Sequence, residues 1–218
     1  MTDDSPDTQL DPLIGAVFDD RYALIERIGS GGMGTVYRAR QLNVDRDVAV
    51  KLLRVDAHGD PKMVRRFERE ARIIARLRDP HTLKLIDFGR RPNGQLYLVC
   101  EYLSGQSLAA RLRHGALTVG QTLRVLRAIC DSLIEAHAEG IVHRDLKPAN
   151  LFLEAVGHRE VVKVLDFGIA HWSEGTTSDS TLTVGGTPSH MSPEQARGVD
   201  LDARTDLYSL GVVLFEML

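Results

Sequence analysis

Two copies of one tripeptide, Asp87-Phe88-Gly89 and Asp166-Phe167-Gly168, close the short apolar runs LKLIDFG and VKVLDFG. A carboxylate so placed can hold a magnesium ion against phosphate oxygens, because hard divalent cations take oxygen ligands. It can equally be the polar end of a strand. A second feature bears on the same chemistry. Gly29-Ser30-Gly31-Gly32-Met33-Gly34 fits G-x-G-x-x-G, and the bare backbone of such a loop can close over phosphates. A dinucleotide-binding turn uses the same letters but opens a helix. Here Thr35-Val36-Tyr37 continues in β-forming residues, so the loop is expected to cap a hairpin; a plain flexible turn is the alternative. Lys51 ends the run Val48-Ala49-Val50-Lys51, and Glu70 falls three residues after Phe67 and four before Ile74. That spacing puts Glu70 on the apolar face of a helix, where an acid needs a cationic partner. Lys51 is the expected partner, its ammonium held toward nucleotide phosphates. Glu68 points elsewhere and suits an i,i+4 pair with Arg72.

The elements that must position these groups follow from periodicity. Arg21–Ile28, Thr35–Arg40 and Val48–Leu53 read as strands. Pro61–Asp79 reads as a helix, with Met63, Phe67, Ile74 and Leu77 at helical spacing and Pro61 suited to a first turn. Leu83–Phe88 and Gln95–Cys100 flank Asn93-Gly94, a strong hairpin signal. Leu117–Glu139 reads as a long amphipathic helix with Leu123, Leu126, Cys130, Leu133 and His137 on one face, stopped by Gly140. Leu151–Glu154 and Val161–Leu165 form a second short hairpin, and Leu207–Leu218 is apolar almost all round, so it is expected to be buried. The plan is α+β and bilobal. Residues 1–20 are an acidic tail, the first ten disordered; residues 21–100 form a β-rich lobe with one main helix. Residues 101–105 link it to a mostly helical lobe over 106–218. Beyond the doubled tripeptide there is no internal repeat.

Composition narrows the class. A chain of 218 residues, 43% hydrophobic and 26% charged, is long enough to bury a core and is not of disordered composition. A net charge of −3 argues against a nucleic-acid binder relying on bulk basicity. Acids interleave with the lysines and arginines of Lys62–Arg78, so that stretch reads as a solvated helix face. Cys100 and Cys130 show no disulfide or metal-ligand spacing. The acidic N-terminus lacks the pattern of a signal peptide, and no apolar run is long enough to span a membrane. A cytoplasmic location without membrane contact in these residues is expected.

His143-Arg144-Asp145-Leu146-Lys147-Pro148-Ala149-Asn150 supplies the remaining chemistry. With the glycine loop, V-A-V-K, a helix glutamate, D-F-G and Ser192-Pro193-Glu194, six motifs stand in order from Gly29 to Glu194. In this the sequence resembles the eukaryotic-like (Hanks-type) protein kinases over nearly everything after about residue 20. Gly31–Gly34, Lys147–Asn150 and Ser192–Gln195 are most similar to the bacterial Ser/Thr group. The resemblance implies phosphoryl transfer from ATP to Ser/Thr hydroxyls of protein substrates, which is mostly positioning and charge neutralisation. It implies that Asp145 orients the hydroxyl and accepts its proton, and that Lys147 reaches the γ-phosphate. Asn150 and one D-F-G aspartate would hold Mg²⁺, or Mn²⁺ in its place. It gives Ile28, Val36, Ala49 and Phe152 to the adenine site, the backbone of Glu101–Leu103 to its edge and Cys100 to the gatekeeper position. Ile74, Leu85, His143 and Phe167 would stack between the lobes. Phe152, where an aliphatic floor residue is usual, and His190, where an aromatic one is usual, depart from the family pattern.

Hairpin geometry separates the two tripeptides. Asn150 immediately precedes one strand and Asp166 immediately follows its partner, so antiparallel pairing brings them together at the open end. Asp87 is expected at the closed end of its own hairpin, as a structural residue. Thr181 and Thr183 are candidate autophosphorylation sites, with self-association for reaction in trans. Thr187 is expected against Asp145 and Lys147, and Arg144 beside a phosphorylated residue. The family's partner for Glu194 is a later arginine, not found here, so the chain reads as the N-terminal piece of a longer kinase. Any downstream sensor or membrane anchor lies outside it. The alternative is a nucleotide-binding but inactive scaffold.

Overall fold

Alternation along the strands, interrupted by bulges in two of them, builds the first lobe. The computed structural model describes residues 11–32, 34–54, 61–167 and 188–218. Six antiparallel strands lie in the order β1-β2-β3-β4-β6-β5. They are β1 (Val17–Phe18), β2 (Tyr22–Gly31), β3 (Gly34–Gln41), β4 (Arg46–Leu53), β5 (Leu85–Arg90) and β6 (Leu96–Glu101). One face carries Tyr22, Leu24, Tyr37, Ala39, Val48, Val50, Leu52, Tyr97 and Val99 into a core of its own. The alternate residues Leu53, Leu96, Leu98 and Cys100 join a second core with Phe67, Ala71 and Ile74 of α1 (Pro61–Ile74). Gly31 pairs with Gly34, so the glycine loop caps a hairpin as expected. Gly34 is required by packing: a Cβ there would lie 2.0 Å from the Leu52 carbonyl oxygen.

The lobe begins earlier than residue 21. Gly15 N–H donates to Leu24 O at 2.8 Å and Leu24 N–H to Ala16 O at 2.9 Å, so residues from Asp11 belong to the fold and only 1–10 of the expected tail lie outside the described residues. Two buried tyrosines hold this segment by their hydroxyls, Tyr37 on Asp11 at 2.9 Å and Tyr97 on Asp19. Helix α1 stops at Ile74, five residues short of Asp79. The amides of Arg78 and Asp79 instead donate to the carboxylate of Glu135, at 2.7 and 2.8 Å. Strand β5 starts at Leu85 rather than Leu83, whose amide donates to Val164 O in the second lobe.

Asp87 therefore sits in mid-strand, opposite Val99, not beside the turn. Each letter of this tripeptide has a packing reason. Asp87 accepts from Tyr22 Oη at 2.7 Å and pairs with Arg21 at 2.9 Å. Phe88 stands edge-on to Phe67. A Cβ on Gly89 would lie 2.5 Å from the Tyr97 hydroxyl oxygen.

The second lobe opens with β7 (Gly105–Ser107) and α2 (Leu108–Leu112), both unanticipated, and continues with α3 (Val119–Ala138). A capping box between Thr118 and Gln121 starts α3. Strands β8 (Leu151–Val156) and β9 (Arg159–Val164) complete a sheet ordered β7-β8-β9. The short α4 (Pro193–Arg197) and α5 (Arg204–Met217) follow. Two apolar faces differ from expectation. The buried stripe of α3 is Thr122, Val125, Ala128, Ile129, Ser132, Leu133 and Ala136, and Leu123 is exposed. Small and polar residues form that stripe because neighbours approach closely; Ser132 shares a 2.7 Å hydrogen bond with Thr82. Helix α5 buries Thr205, Asp206, Ser209, Leu210, Val213 and Met217 while Leu207, Tyr208 and Phe215 are exposed. Its inward side is the one whose polar groups have partners in the His143–Asn150 run, in α4 and in the segment before it.

Candidate active site

The run before β8 is irregular as far as Lys147 and ends in a short 3-10 turn, Pro148–Asn150, and contacts from other elements fix its shape. Asp206, fully buried at the start of α5, accepts from the amides of His143 and Arg144, both at 2.8 Å, and from His137 Nε2 at 2.7 Å. One carboxylate thus braces both this run and the end of α3. Gln195 Nε2 donates to Arg144 O at 2.6 Å. The φ of Arg144 is 67°, a left-handed conformation that persists only where surroundings enforce it. His143 is buried; its Nδ1 accepts from Asp145 N–H at 3.3 Å, so Nε2 carries the proton donated to Leu165 O at 2.7 Å. Its ring meets Phe167 at 4.9 Å, and Ile74, Leu85 and Phe167 share one core.

This scaffold gathers the polar groups. Asp145 accepts from Lys147 Nζ at 3.0 Å and from Asn150 Nδ2 at 2.9 Å. Asn150 Nδ2 also donates to Asp145 O at 2.7 Å. The amide nitrogen is thus occupied, which leaves Asn150 Oδ1 for a cation. Leu165 N–H donates to Asn150 O at 2.9 Å and Leu151 pairs with Val164, so Asn150 and Asp166 meet at the open end of the β8–β9 hairpin. Among the described residues no cluster of three or more His, Cys, Asp or Glu could hold a metal. An amide oxygen beside a carboxylate nonetheless fits a cation whose other ligands are phosphate oxygens and water, as magnesium sites commonly are.

One expected pair is not formed. Lys51 Nζ lies 2.7 Å from Asp166 Oδ2, and Glu70 pairs with Arg66 at 3.0 Å. Two acids compete for Lys51, and Glu70 has a cation one helical turn away, so each group takes a partner other than the expected one. Glu68 pairs with Arg72 as expected. Val36, Ala49 and Lys51 share the less buried face of the sheet, by the pairings Val36 with Lys51 and Arg38 with Ala49. Ile28 is exposed and Gly29 pairs with Val36; Ser30, Gly31, Gly32 and Gly34 follow in the hairpin. Cys100 ends this wall, paired with Ala49. Burial pushes its thiol up to about 12, with Asp166 adding to the effect; burial also raises Cys130, which is more accessible. At pH 8 the Cys100 thiolate fraction is then roughly one in ten thousand. Iodoacetamide should label Cys130 well before Cys100 in the folded chain, as read by peptide mass spectrometry.

Glu194 is neither deeply buried nor without a partner. It accepts from Thr205 Oγ1 at 2.9 Å, and its own backbone amide, then Thr205, hold its carboxyl below the usual range. Met33, Thr181, Thr183 and Thr187 lie outside the described residues. Sequence reasoning missed Gln195 and Glu135. The capping box of Ser192 and Gln195 was legible in the spacing; nothing marked Glu135.

The protein kinase domain family matches residues 22–218. The chain belongs to the protein kinase family. It is 42% identical to serine/threonine-protein kinase pkn3 of Myxococcus xanthus over 98% of its length, and 44% identical to PknB of Mycobacterium tuberculosis over 91%. It spans 40% and 32% of those relatives' lengths. The crystal structure of the Mycobacterium tuberculosis PknI kinase domain superposes with a TM-score of 0.75 at 30% identity, over 94% of this chain and 76% of that one. Within the family it falls in the bacterial Hanks-type group, with the bilobal α+β kinase fold.

Proposed function

We propose that this chain is the catalytic part of a serine/threonine protein kinase that transfers the γ-phosphoryl group of ATP to hydroxyls of protein substrates. The observation that carries the reading is the meeting of Asn150 with Asp166 beside Asp145 and Lys147. Mg-ATP supplies the phosphoryl group and, through its metal, neutralisation of the developing charge. The chain's own residues then do the positioning. Asp145 accepts the proton of the substrate hydroxyl, and Lys147, already within 3.0 Å of it, neutralises charge next to it. Asn150 Oδ1 and the Asp166 carboxylate are the metal donors. Lys51 stands ready for the α- and β-phosphates under the hairpin of Gly29–Gly34. Ile28, Val36, Ala49 and Phe152 enclose the base, with the backbone of Glu101–Leu103 at its edge.

Regulation belongs to the same reading. A cleft of about 530 Å³ between α1 and the catalytic loop is lined by Arg65, Arg66, Arg69 and Arg144, with Glu70 and Glu139. Arg144 Nε is buried there and has no hydrogen-bond partner among the described residues. A phosphate on Thr181 or Thr183 would supply the missing acceptor. The test is transfer of radiolabel from ATP to an acceptor protein, with Lys51→Met as control, and mass spectrometry of the chain after incubation with Mg-ATP. Transfer lost in Lys51→Met, with phosphate on Thr181 or Thr183, is the expected result. A folded wild-type chain that binds nucleotide but transfers nothing would instead support the inactive scaffold.

A further inference from the structure

Lys163 plays no part in the chemistry above, yet it is only 8% exposed, and a lysine so buried needs a counter-charge. It lies on β9 directly opposite Phe152, and directly opposed residues of an antiparallel pair project from the same face. Its Nζ is 2.7 Å from Glu101 Oε1. The same oxygen accepts from Lys84 N–H at 2.9 Å, while Glu101 N–H donates to Lys84 O at 3.1 Å. A second acid, Glu154, shares the face; burial raises its carboxyl, Lys163 opposes that rise, and Glu101 adds to it.

Glu101 is the first residue of the connection between the lobes. Four residues on, β7 pairs with β8, Gly105 with Glu154 and Ser107 with Phe152. The connection is therefore tied to the β8–β9 sheet at both ends, by the Lys163–Glu101 ion pair at the start and by strand pairing at the finish. Ala155 N–H also donates to Ser104 O at 2.7 Å, so only residues 102 and 103 lie between the ties. We infer that Lys163 is a positioning residue: through Glu101 it sets the separation between the connecting backbone and the Phe152 side chain, and so the width of the slot that takes a flat purine base. The inference rests on the nucleotide reading above and deepens it.

The test measures affinity for methylanthraniloyl-ADP with Mg²⁺ by fluorescence, with magnesium tripolyphosphate, which has no base, as a competitor. Melting temperature is followed in every variant. Lys163→Met should weaken nucleotide binding about fivefold, equivalent to roughly 1 kcal/mol, and leave the affinity for tripolyphosphate unchanged. Lys163→Arg should bind within about twofold of wild type. The double variant Lys163→Met with Glu101→Gln should bind no more weakly than Lys163→Met alone, because contacting residues couple. In transfer assays the effect should fall on KM for ATP rather than on kcat. Unchanged nucleotide affinity in Lys163→Met, equal loss of nucleotide and tripolyphosphate, or additivity in the double variant would each overturn the assignment alone. A wild-type chain that binds neither ligand would overturn the nucleotide reading and this inference with it.

Discussion

Asp166→Asn should reduce phosphoryl transfer by about 10²–10³-fold, the usual consequence of removing one preorganised charge from a transition state. Asp87→Asn, the same change in an identical tripeptide, should leave transfer within about twofold of wild type and lower stability by about 1–2 kcal/mol. The contrast lies in what each carboxylate touches. Asp166 faces Lys51 at 2.7 Å and stands at the hairpin end shared with Asn150. Asparagine there keeps the shape but removes the charge that a cation and Lys51 both require. Asp87 accepts from Tyr22 and pairs with the half-exposed Arg21. Asparagine can still accept from the Tyr22 hydroxyl, and loss of an exposed ion pair has a small effect. Radiolabel transfer and urea denaturation on the two variants decide the matter. Equal loss of transfer in two folded variants would refute the assignment.

That contrast also shows how far the chain could be read from its residues. The open end of the β8–β9 hairpin was legible because a short strand pair has one geometry, and Asn150 and Asp166 stand where that geometry brings them together. The glycine hairpin was legible because β-formers follow it. The partners of Lys51 and Glu70 were not. Pairing among several charges depends on distances of a few ångströms between elements, and spacing along one helix does not supply them. Asp87 lies in mid-strand rather than at a strand end because β5 runs on through Gly89 and Arg90, paired with Tyr97 and Leu96. The start of β5 is set by Leu83, whose amide goes to Val164, a contact between lobes that no local pattern announces. The face of α3 was misread for a related reason. Its buried stripe includes Thr122 and Ser132, which a hydrophobic count passes over. Phe215, 83% exposed on α5, shows the converse: an apolar residue type alone does not place a side chain in the core.

The second large effect is expected at Asp206, a residue far from any phosphate. Its carboxylate is wholly buried and accepts three hydrogen bonds, from the amides of His143 and Arg144 and from His137. Asp206→Ala leaves two buried backbone donors and one imidazole without an acceptor. Each orphaned buried donor costs about 1–3 kcal/mol, and losing one partner of a buried charged network typically destabilises by about 3–5 kcal/mol. That is a large part of the roughly 5–15 kcal/mol that holds an ordinary domain together. Asp206→Asn should be milder, since one carbonyl oxygen remains, but its NH₂ group must then face a donor. Urea midpoints give the order wild type, Asp206→Asn, Asp206→Ala. Activity should fall further than stability predicts. The left-handed backbone of Arg144 is enforced from both sides, by Asp206 on its amide and Gln195 on its carbonyl. With one side released, Asp145 no longer has a fixed place beside Lys147 and Asn150. Turnover measured at a temperature where Asp206→Asn is still folded should therefore be about tenfold or more below wild type, the scale of effect a small misplacement of catalytic groups produces. Wild-type turnover in a folded Asp206→Asn would show that the catalytic loop holds its shape without this carboxylate.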